Sequence, residues 1–311
     1  MATSLHLTFS RDEWSCFRSD TPLILTETEL AELRGFNENI SLDEVADIYL
    51  PLARLINLYV AAAQDLHKVS SQFLDTQVAK VPYIVGVSGS VGVGKSTTSR
   101  ILQALLSRWP NSNRVELVTT DSFLYPNAVL EERGLMERKG FPESFDRQRF
   151  MEFLFAVKSG TAAVNIPVYS HEYYDIVPNE FKTITQPDIL IVEGLNILQA
   201  SLVPRKNVPK IFISDLLDFT IYVDAPLEII ELWYLERFMA FRAQAINRPD
   251  LFFHRFALWP DEKAYTFAKN IWKTINETNL LQNILPYKYR ARLILEKTLD
   301  HKIKQVRLRR L

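Results

Sequence analysis

Residues Gly89, Ser90, Val91, Gly92, Val93, Gly94, Lys95 and Ser96 form an octapeptide with three glycines and a closing Lys-Ser, followed by Thr97. This stretch constrains the fold on both of its sides. Glycines at 89 and 94 let the backbone turn its N–H groups into a concave nest that suits phosphate oxygens. Such a nest needs a strand that leads into it and a helix N-terminus that leaves it, so that the helix dipole aims at the same anion. Both flanks read that way. Tyr83-Ile84-Val85-Gly86-Val87 is a short apolar run of the buried-strand kind, and 96–109 carries a helical face of Ile101, Leu102, Leu105, Leu106 and Trp109. Lys95 then reaches the outer phosphates, and the Ser96 hydroxyl can join a magnesium shell. A plain flexible glycine turn is the alternative, which the strand–loop–helix setting disfavours.

The same alternation continues downstream. The apolar run 115–120 ends at Asp121, 188–192 ends at Glu193, and 219–223 ends at Asp224. Strands separated by helical segments imply right-handed crossovers, hence an α/β fold with a mainly parallel sheet and helices on both faces. Short, wholly apolar runs suit strands buried on both sides. Upstream, about 26–78 reads as helical, with Thr26/Glu29 and Ser41/Glu44 at capping-box spacing. Downstream, 227–245 and 264–285 read as two long helices, the second ended or bent by Pro286. With no repeat and no Gly/Pro/Ser-rich linker, the expectation is one P-loop domain over 1–311. It comprises an N-terminal helical extension (1–80), a nucleotide-binding core (81–225) and C-terminal helices completing the acceptor site (226–311).

Charge narrows the function. Thirty-six basic residues stand against 37 acidic ones, a net charge of −1, which argues against a nucleic-acid coat or a membrane-surface binder. A single cysteine, Cys16, rules out an internal disulfide framework or a thiolate metal cluster. No stretch reads as the roughly 18 apolar residues a transmembrane helix needs, and 1–18 lacks a signal-type apolar core. A reducing cytoplasm is the expected location.

A phosphate loop alone does not separate a small-molecule kinase from a GTPase or a motor. Asp121 and Glu193 help, because ligands bind at the carboxyl ends of strands in open α/β sheets. A carboxylate at 121 can accept a hydroxyl proton during phosphoryl transfer, or merely cap the next turn; one at 193 resembles a magnesium-holding acid, or a strand-end turn residue. No guanine-reading Asn-Lys-x-Asp motif is present. Tyr169, His171, Tyr173 and Tyr174 crowd seven residues with uncharged hydrogen-bonding groups, either a ligand site or a packed turn. Tyr234, Arg237, Phe238 and Phe241 share one helix face, and an arginine amid aromatics suits an anionic, partly apolar ligand, although for the phenylalanines core packing is the favoured reading. Asn276 shares a face with Trp272, Ile275 and Asn279 and could read a polar ligand.

Several blocks resemble one family closely. They are the loop at 89–98, Val-Glu-Leu-Val-Thr-Thr-Asp at 115–121, Gly-Leu-Met-Glu-Arg-Lys-Gly-Phe-Pro-Glu-Ser-Phe-Asp at 134–146, and Pro-Val-Tyr-Ser-His at 167–171. Gln-Pro-Asp-Ile-Leu-Ile-Val-Glu-Gly-Leu-Asn at 186–196 and Gln-Asn-Ile-Leu-Pro at 282–286 complete the set. The chain is similar over nearly its whole length to the bacterial type I pantothenate kinases, relatives of uridine kinase and phosphoribulokinase. The blocks at 134–146 and 282–286 belong to that family and not to P-loop proteins at large.

The resemblance implies transfer of the ATP γ-phosphate to the primary hydroxyl of pantothenate, with Mg2+, as the first committed step toward coenzyme A. It implies competition between coenzyme A and ATP, and a homodimer. By position, Asp121 is the implied base, Lys95 the phosphate contact, and Ser96 and Glu193 the magnesium neighbours. Tyr169, His171, Tyr174, Tyr234, Arg237 and Asn276 would line the pantothenate pocket, Arg237 facing either the moving phosphoryl or the pantothenate carboxylate. Arg100 would contact coenzyme A phosphates, Phe238, Phe241, Phe252 and Phe253 its thiol arm, and Asn37, Lys297 and His301 the adenine side. Ser122 departs from the family pattern, which has glycine there; a positive φ at 122 would strain a serine. The segment 124–146 is either a mobile cover or a packed surface element. A kinase of another hydroxylated metabolite such as a nucleoside, and a regulatory nucleotide-binding module, are the rival readings.

Overall fold

The computed structural model describes residues 5–35, 38, 40–76, 81–109, 114–200 and 211–310. Nine strands are present among them: β1 (His6–Ser10), β2 (Tyr83–Gly89), β3 (Val115–Thr119), β4 (Val164–Ser170), β5 (Asp175–Ile184), β6 (Ile189–Glu193), β7 (Phe219–Asp224), β8 (Leu293–Lys297) and β9 (Ile303–Arg309). Seven form one sheet in the order β1-β9-β8-β7-β2-β6-β3, and β4 pairs with β5 as a separate hairpin. Strands β8, β7, β2, β6 and β3 run parallel, while β9 runs antiparallel to both of its neighbours. The expected mainly parallel α/β architecture is therefore the observed one. Every residue of β2 and β7 is buried, as both-face coverage of a central parallel strand requires.

The four strands legible in the sequence are the parallel ones β2, β3, β6 and β7. The other five were not anticipated. In β9 only Ile303 and Val306 are buried, and basic residues point outward along the rest; β8 follows directly on what read as helix. The C-terminal segment is thus helices plus two strands that extend the main sheet. The N-terminal one likewise contributes β1.

The principal helices are α1 (Leu50–Phe73), α2 (Lys95–Leu106), α3 (Arg147–Lys158), α4 (Leu227–Gln244) and α5 (Asp261–Ile271). The expected second long C-terminal helix has the anticipated extent but is not regular. After α5 it passes through a π turn (Trp272–Asn276), one α turn (Glu277–Asn279) and a second π turn (Leu280–Ile284). Such bulges often accompany sites where side chains must be re-aimed. Thr26 and Glu29 form the full capping box. Ser41 caps Glu44 N–H, but the Glu44 carboxylate turns away to Arg11 and to the Ile303 N–H at 2.9 Å, tying the N-terminal region to β9.

The helical stretch Leu42–Phe73 corrects one expectation. Its best 18-residue window has a mean hydropathy of 1.3, long and apolar enough to cross a bilayer, yet 56% of that window is buried within the fold. Leu50, Leu52, Ala53, Ile56 and Val60 give it a core face. A helix that buries its apolar side against a sheet meets the same compositional test.

Ile191 sits fully buried in β6 between β2 and β3. Ile191→Ala should lower unfolding free energy by about 2–5 kcal/mol in urea titrations, whereas Leu258→Ala, 86% exposed, should shift it by less than about 0.5 kcal/mol.

Candidate active site

Strand register builds the site. In the parallel ladder Glu193 pairs with Val87 of β2 on one side and with Thr119 of β3 on the other. The acid therefore ends its strand where the phosphate loop begins, with Asp121 two residues beyond Thr119. The loop conformation demands glycine. Gly89, Gly92 and Gly94 have φ of 149°, 78° and 95°, and a Cβ on Gly94 would lie 2.3 Å from Lys297 Nζ. Lys95 is buried and donates to the Ser90 carbonyl at 2.7 Å. Burial pulls its pKa down, while Glu193 and Asp121 oppose that. Ser96 Oγ donates to Glu193 Oε1 at 2.7 Å. Burial raises the Glu193 carboxyl, with Lys95 and Ser96 acting against it.

Asp121 lies in the 3-10 turn Thr120–Phe123, its N–H bonded to Thr119 Oγ1 at 3.3 Å. Ser122 is in the same right-handed turn and is not among the positive-φ residues. The strain that serine would suffer at positive φ therefore does not arise. Across from Asp121, the β4–β5 turn presents His171, whose Nε2 is 3.9 Å from Asp121 Oδ2. Tyr169 packs edge-on to His171, and Tyr174, at φ 58°, lies against Phe252 with ring centroids 4.4 Å apart. Tyr173 turns outward.

Lys139 joins this cluster, and sequence reasoning missed it. Its ammonium donates to Asn127 Oδ1 at 2.7 Å and to the Tyr174 carbonyl at 2.5 Å, and sits over the Tyr174 ring at 3.9 Å. Burial lowers its pKa to about 8, with Asp175 and Asp121 pulling the other way. A lysine in a charged stretch reads as solvated; its only signal was membership of the 134–146 block. That block is packed in this structure. Leu124 bridges Phe145, Tyr125 N–H donates to Ser144 O, and the Gly140 carbonyl accepts from Asn196 and Asn279 side chains at 3.0 and 2.9 Å.

Helix α4 closes the site from above the loop. The backbone of Tyr234 lies 3.7 Å from the position of a Cβ on Gly92. Tyr234 is hydrogen-bonded to Asn276, and burial raises its pKa. Arg237 is pushed down by burial and held up by Glu38, Glu193 and Asp121; its guanidinium stands 5.0 Å from the Phe241 ring centre. Phe238, Phe241 and Phe252 all pack on Phe253, with centroids 5.3–5.5 Å apart. Phe238, Phe252 and Phe253 belong to a second, largely aromatic core built around α4 and α5.

On the other flank, Arg100 Nε donates to the Leu33 carbonyl at 2.8 Å and Thr97 Oγ1 accepts from the Gly35 N–H at 2.9 Å. Lys297 is fully buried and donates to the Val93 carbonyl at 3.1 Å, directly under the loop. His301 stacks on Trp233 at 4.1 Å and 17°. Asn37 lies outside the described residues. The oxygens of Ser96 and Glu193 suit magnesium, which keeps several waters and binds few protein groups beside phosphates. No cluster of three or more His, Cys, Asp or Glu poised to hold a metal occurs among the described residues.

A family model described as "Phosphoribulokinase / Uridine kinase family" matches residues 84–248. The chain is 54% identical to a pantothenate kinase of Brevibacillus brevis over 99% of its own length and 97% of the relative's. It is 52% identical to a pantothenate kinase of Salmonella newport over 98% and 96%. Among solved structures, D-glycerate 3-kinase from Cryptococcus neoformans superposes with a TM-score of 0.52 at 14% identity, covering 81% of this chain and 97% of that one. At that identity the likeness concerns the fold.

Lys139 also sets a pH dependence. Its folded pKa of about 8 lies below the ordinary 10.5, so between those values the unfolded chain binds a proton that the folded chain has released. Stability should therefore rise with pH across that window. Urea unfolding at about pH 7 and about pH 9.5 should show a larger gain for the wild type than for Lys139→Met; equal gains would contradict the assignment.

Proposed function

The chain belongs to the pantothenate kinases of the phosphoribulokinase and uridine kinase family, and from that premise we propose that it phosphorylates the primary hydroxyl of pantothenate with ATP, on the way to coenzyme A. The observation that carries the mechanism is the meeting of Asp121, Glu193 and Lys95 at adjoining strand ends, with Arg237 facing all three.

In this reading the loop N–H groups and Lys95 take the outer phosphates, Lys95 exchanging the Ser90 carbonyl for phosphate oxygens. Ser96 and Glu193 would hold magnesium, which supplies charge neutralisation between the phosphates when bound. The pantothenate hydroxyl donates toward Asp121, which accepts its proton as the oxygen attacks in line with the departing ADP. Arg237, fixed on rigid α4, stabilises charge on the moving phosphoryl group. Its burial supports that role, since an electrostatic contact is worth more out of water. Tyr169, His171, Tyr174, Tyr234, Asn276 and Lys139 provide the hydrogen-bonding wall for the acceptor. Phe238, Phe241, Phe252 and Phe253 provide an apolar annex beside it.

Feedback by coenzyme A, competing with ATP, belongs to the same reading: Arg100 and Lys297 flank the loop, where a second phosphorylated ligand would overlap the first. Added coenzyme A should raise KM for ATP while kcat extrapolates to its uninhibited value; a fall in kcat alone would count against a shared site. We also read the chain as a cytoplasmic homodimer. Leu66, Val69 and Phe73 form an exposed apolar stripe at i, i+3 and i+7 on α1, 68%, 62% and 88% exposed. A second copy would cover it.

The base assignment has its own test. Asp121→Ala should cut pantothenate-dependent ADP release by about 10²–10⁴-fold, with Kd for ATP within about threefold of wild type. Near-normal kcat in that variant would sink the assignment.

A further inference from the structure

Glu38 is an acid that the transfer just described does not use, yet it lies inside the cationic cradle of the phosphate loop. Its two carboxylate oxygens come within 3.1 and 3.2 Å of the position a Cβ on Gly94 would take, at the N-terminus of α2. Oε2 is 3.9 Å from Lys297 Nζ, beyond hydrogen-bond range, and the side chain is only 12% exposed. That oxygen is buried with no hydrogen-bond partner among the described residues. Two buried lysines, Lys297 and Lys95, and the partly buried Arg237 face the carboxylate. Lys297 is the nearest of them; for Arg237 it is the foremost of the acids offsetting burial, and it acts on Lys95 as well. Glu193 and Asp121 face Lys95 and Arg237 from the strand ends.

A buried carboxylate oxygen without a hydrogen bond is costly. It persists where leaving several buried cations unmatched would cost more. Its place, against the first turn of the helix that follows the loop, is where an anion is stabilised by the helix N-terminus. An incoming phosphate chain would meet the same cations and would carry more charge than one carboxylate.

We propose that Glu38 is an internal stand-in for nucleotide phosphate: it neutralises the Lys95, Arg237 and Lys297 cradle in the nucleotide-free chain and is displaced when a nucleoside polyphosphate enters. The inference rests on the reading that the loop takes ATP. It assigns Glu38 the job of setting nucleotide affinity, keeping the empty cradle folded at the expense of tight binding.

The test is calorimetric titration of MgATP into the full-length wild type, Glu38→Gln and Glu38→Asp. Glu38→Gln should bind MgATP about tenfold more tightly, the effect of one like charge removed from a partly buried site, while its nucleotide-free Tm falls. Glu38→Asp, one methylene shorter but still charged, should fall between the two, and it carries the test if the glutamine variant does not fold. Unchanged or weaker binding in the variants, beside a wild type that binds, overturns the proposal and makes Glu38 a residue that positions Lys297 for the nucleotide. A wild type that does not take up MgATP overturns the nucleotide reading itself, and this inference with it.

Discussion

Burial of charge at the carboxyl ends of β2, β3 and β6 is the constraint on which the rest of this structure depends. Lys95 and Lys297 are almost wholly out of water, and Arg237 is deep enough for burial to lower its pKa. Each would be prohibitive alone. They are tolerable because Glu193, Asp121 and Glu38 are delivered to the same place. The delivery is a matter of register: Val87, Glu193 and Thr119 stand side by side in three parallel strands. A slip of one residue would turn the acid to the other face of the sheet. It would take from Lys95 the foremost of the acids that offset its burial.

The C-terminal third is therefore part of the phosphate site and not an appendage to it. Lys297 is the last residue of β8, and it reaches the loop only because β8 adds to the sheet beside β7. Gly94 is fixed by its φ of 95°, and a Cβ there would also displace that ammonium. Gly92 is committed by its φ of 78°, and the backbone of Tyr234 on α4 stands in ordinary contact distance of it. The helix that crosses the loop also carries Arg237, so packing against glycine and placement of the guanidinium are one event. The first π turn after α5 holds both Trp272, buried against Tyr234, and Asn276, in hydrogen-bond reach of it.

Legibility in the sequence followed the strength of each local signal. The phosphate loop, the central strands and the acids at their ends were readable, because apolar runs buried on both sides have no other comfortable fate. Tyr234 and Arg237 could be grouped by helical spacing. Strands β1, β8 and β9 were not readable: their pairing is decided by distant partners, and β9 is one-sided and studded with basic residues. Lys139 and Glu38 were missed for a related reason. A charged residue in a polar stretch reads as solvated, and only tertiary contacts with Tyr174 or with Lys297 reveal that it is buried. Asn279, on the same face as Asn276, serves the Gly140 carbonyl within the fold. The doubt over Ser122 also needed the structure, since residue identity alone does not reveal φ.

The account stands on the acceptor as much as on the nucleotide. The most direct measurement is ADP release from MgATP by the purified chain with pantothenate, with uridine and with no acceptor, with the phosphorylated product identified by mass. The account predicts rapid release with pantothenate, phosphate carried on its primary hydroxyl, and little release in the other two. Turnover with uridine but not pantothenate would contradict it, as would release that ignores the acceptor altogether.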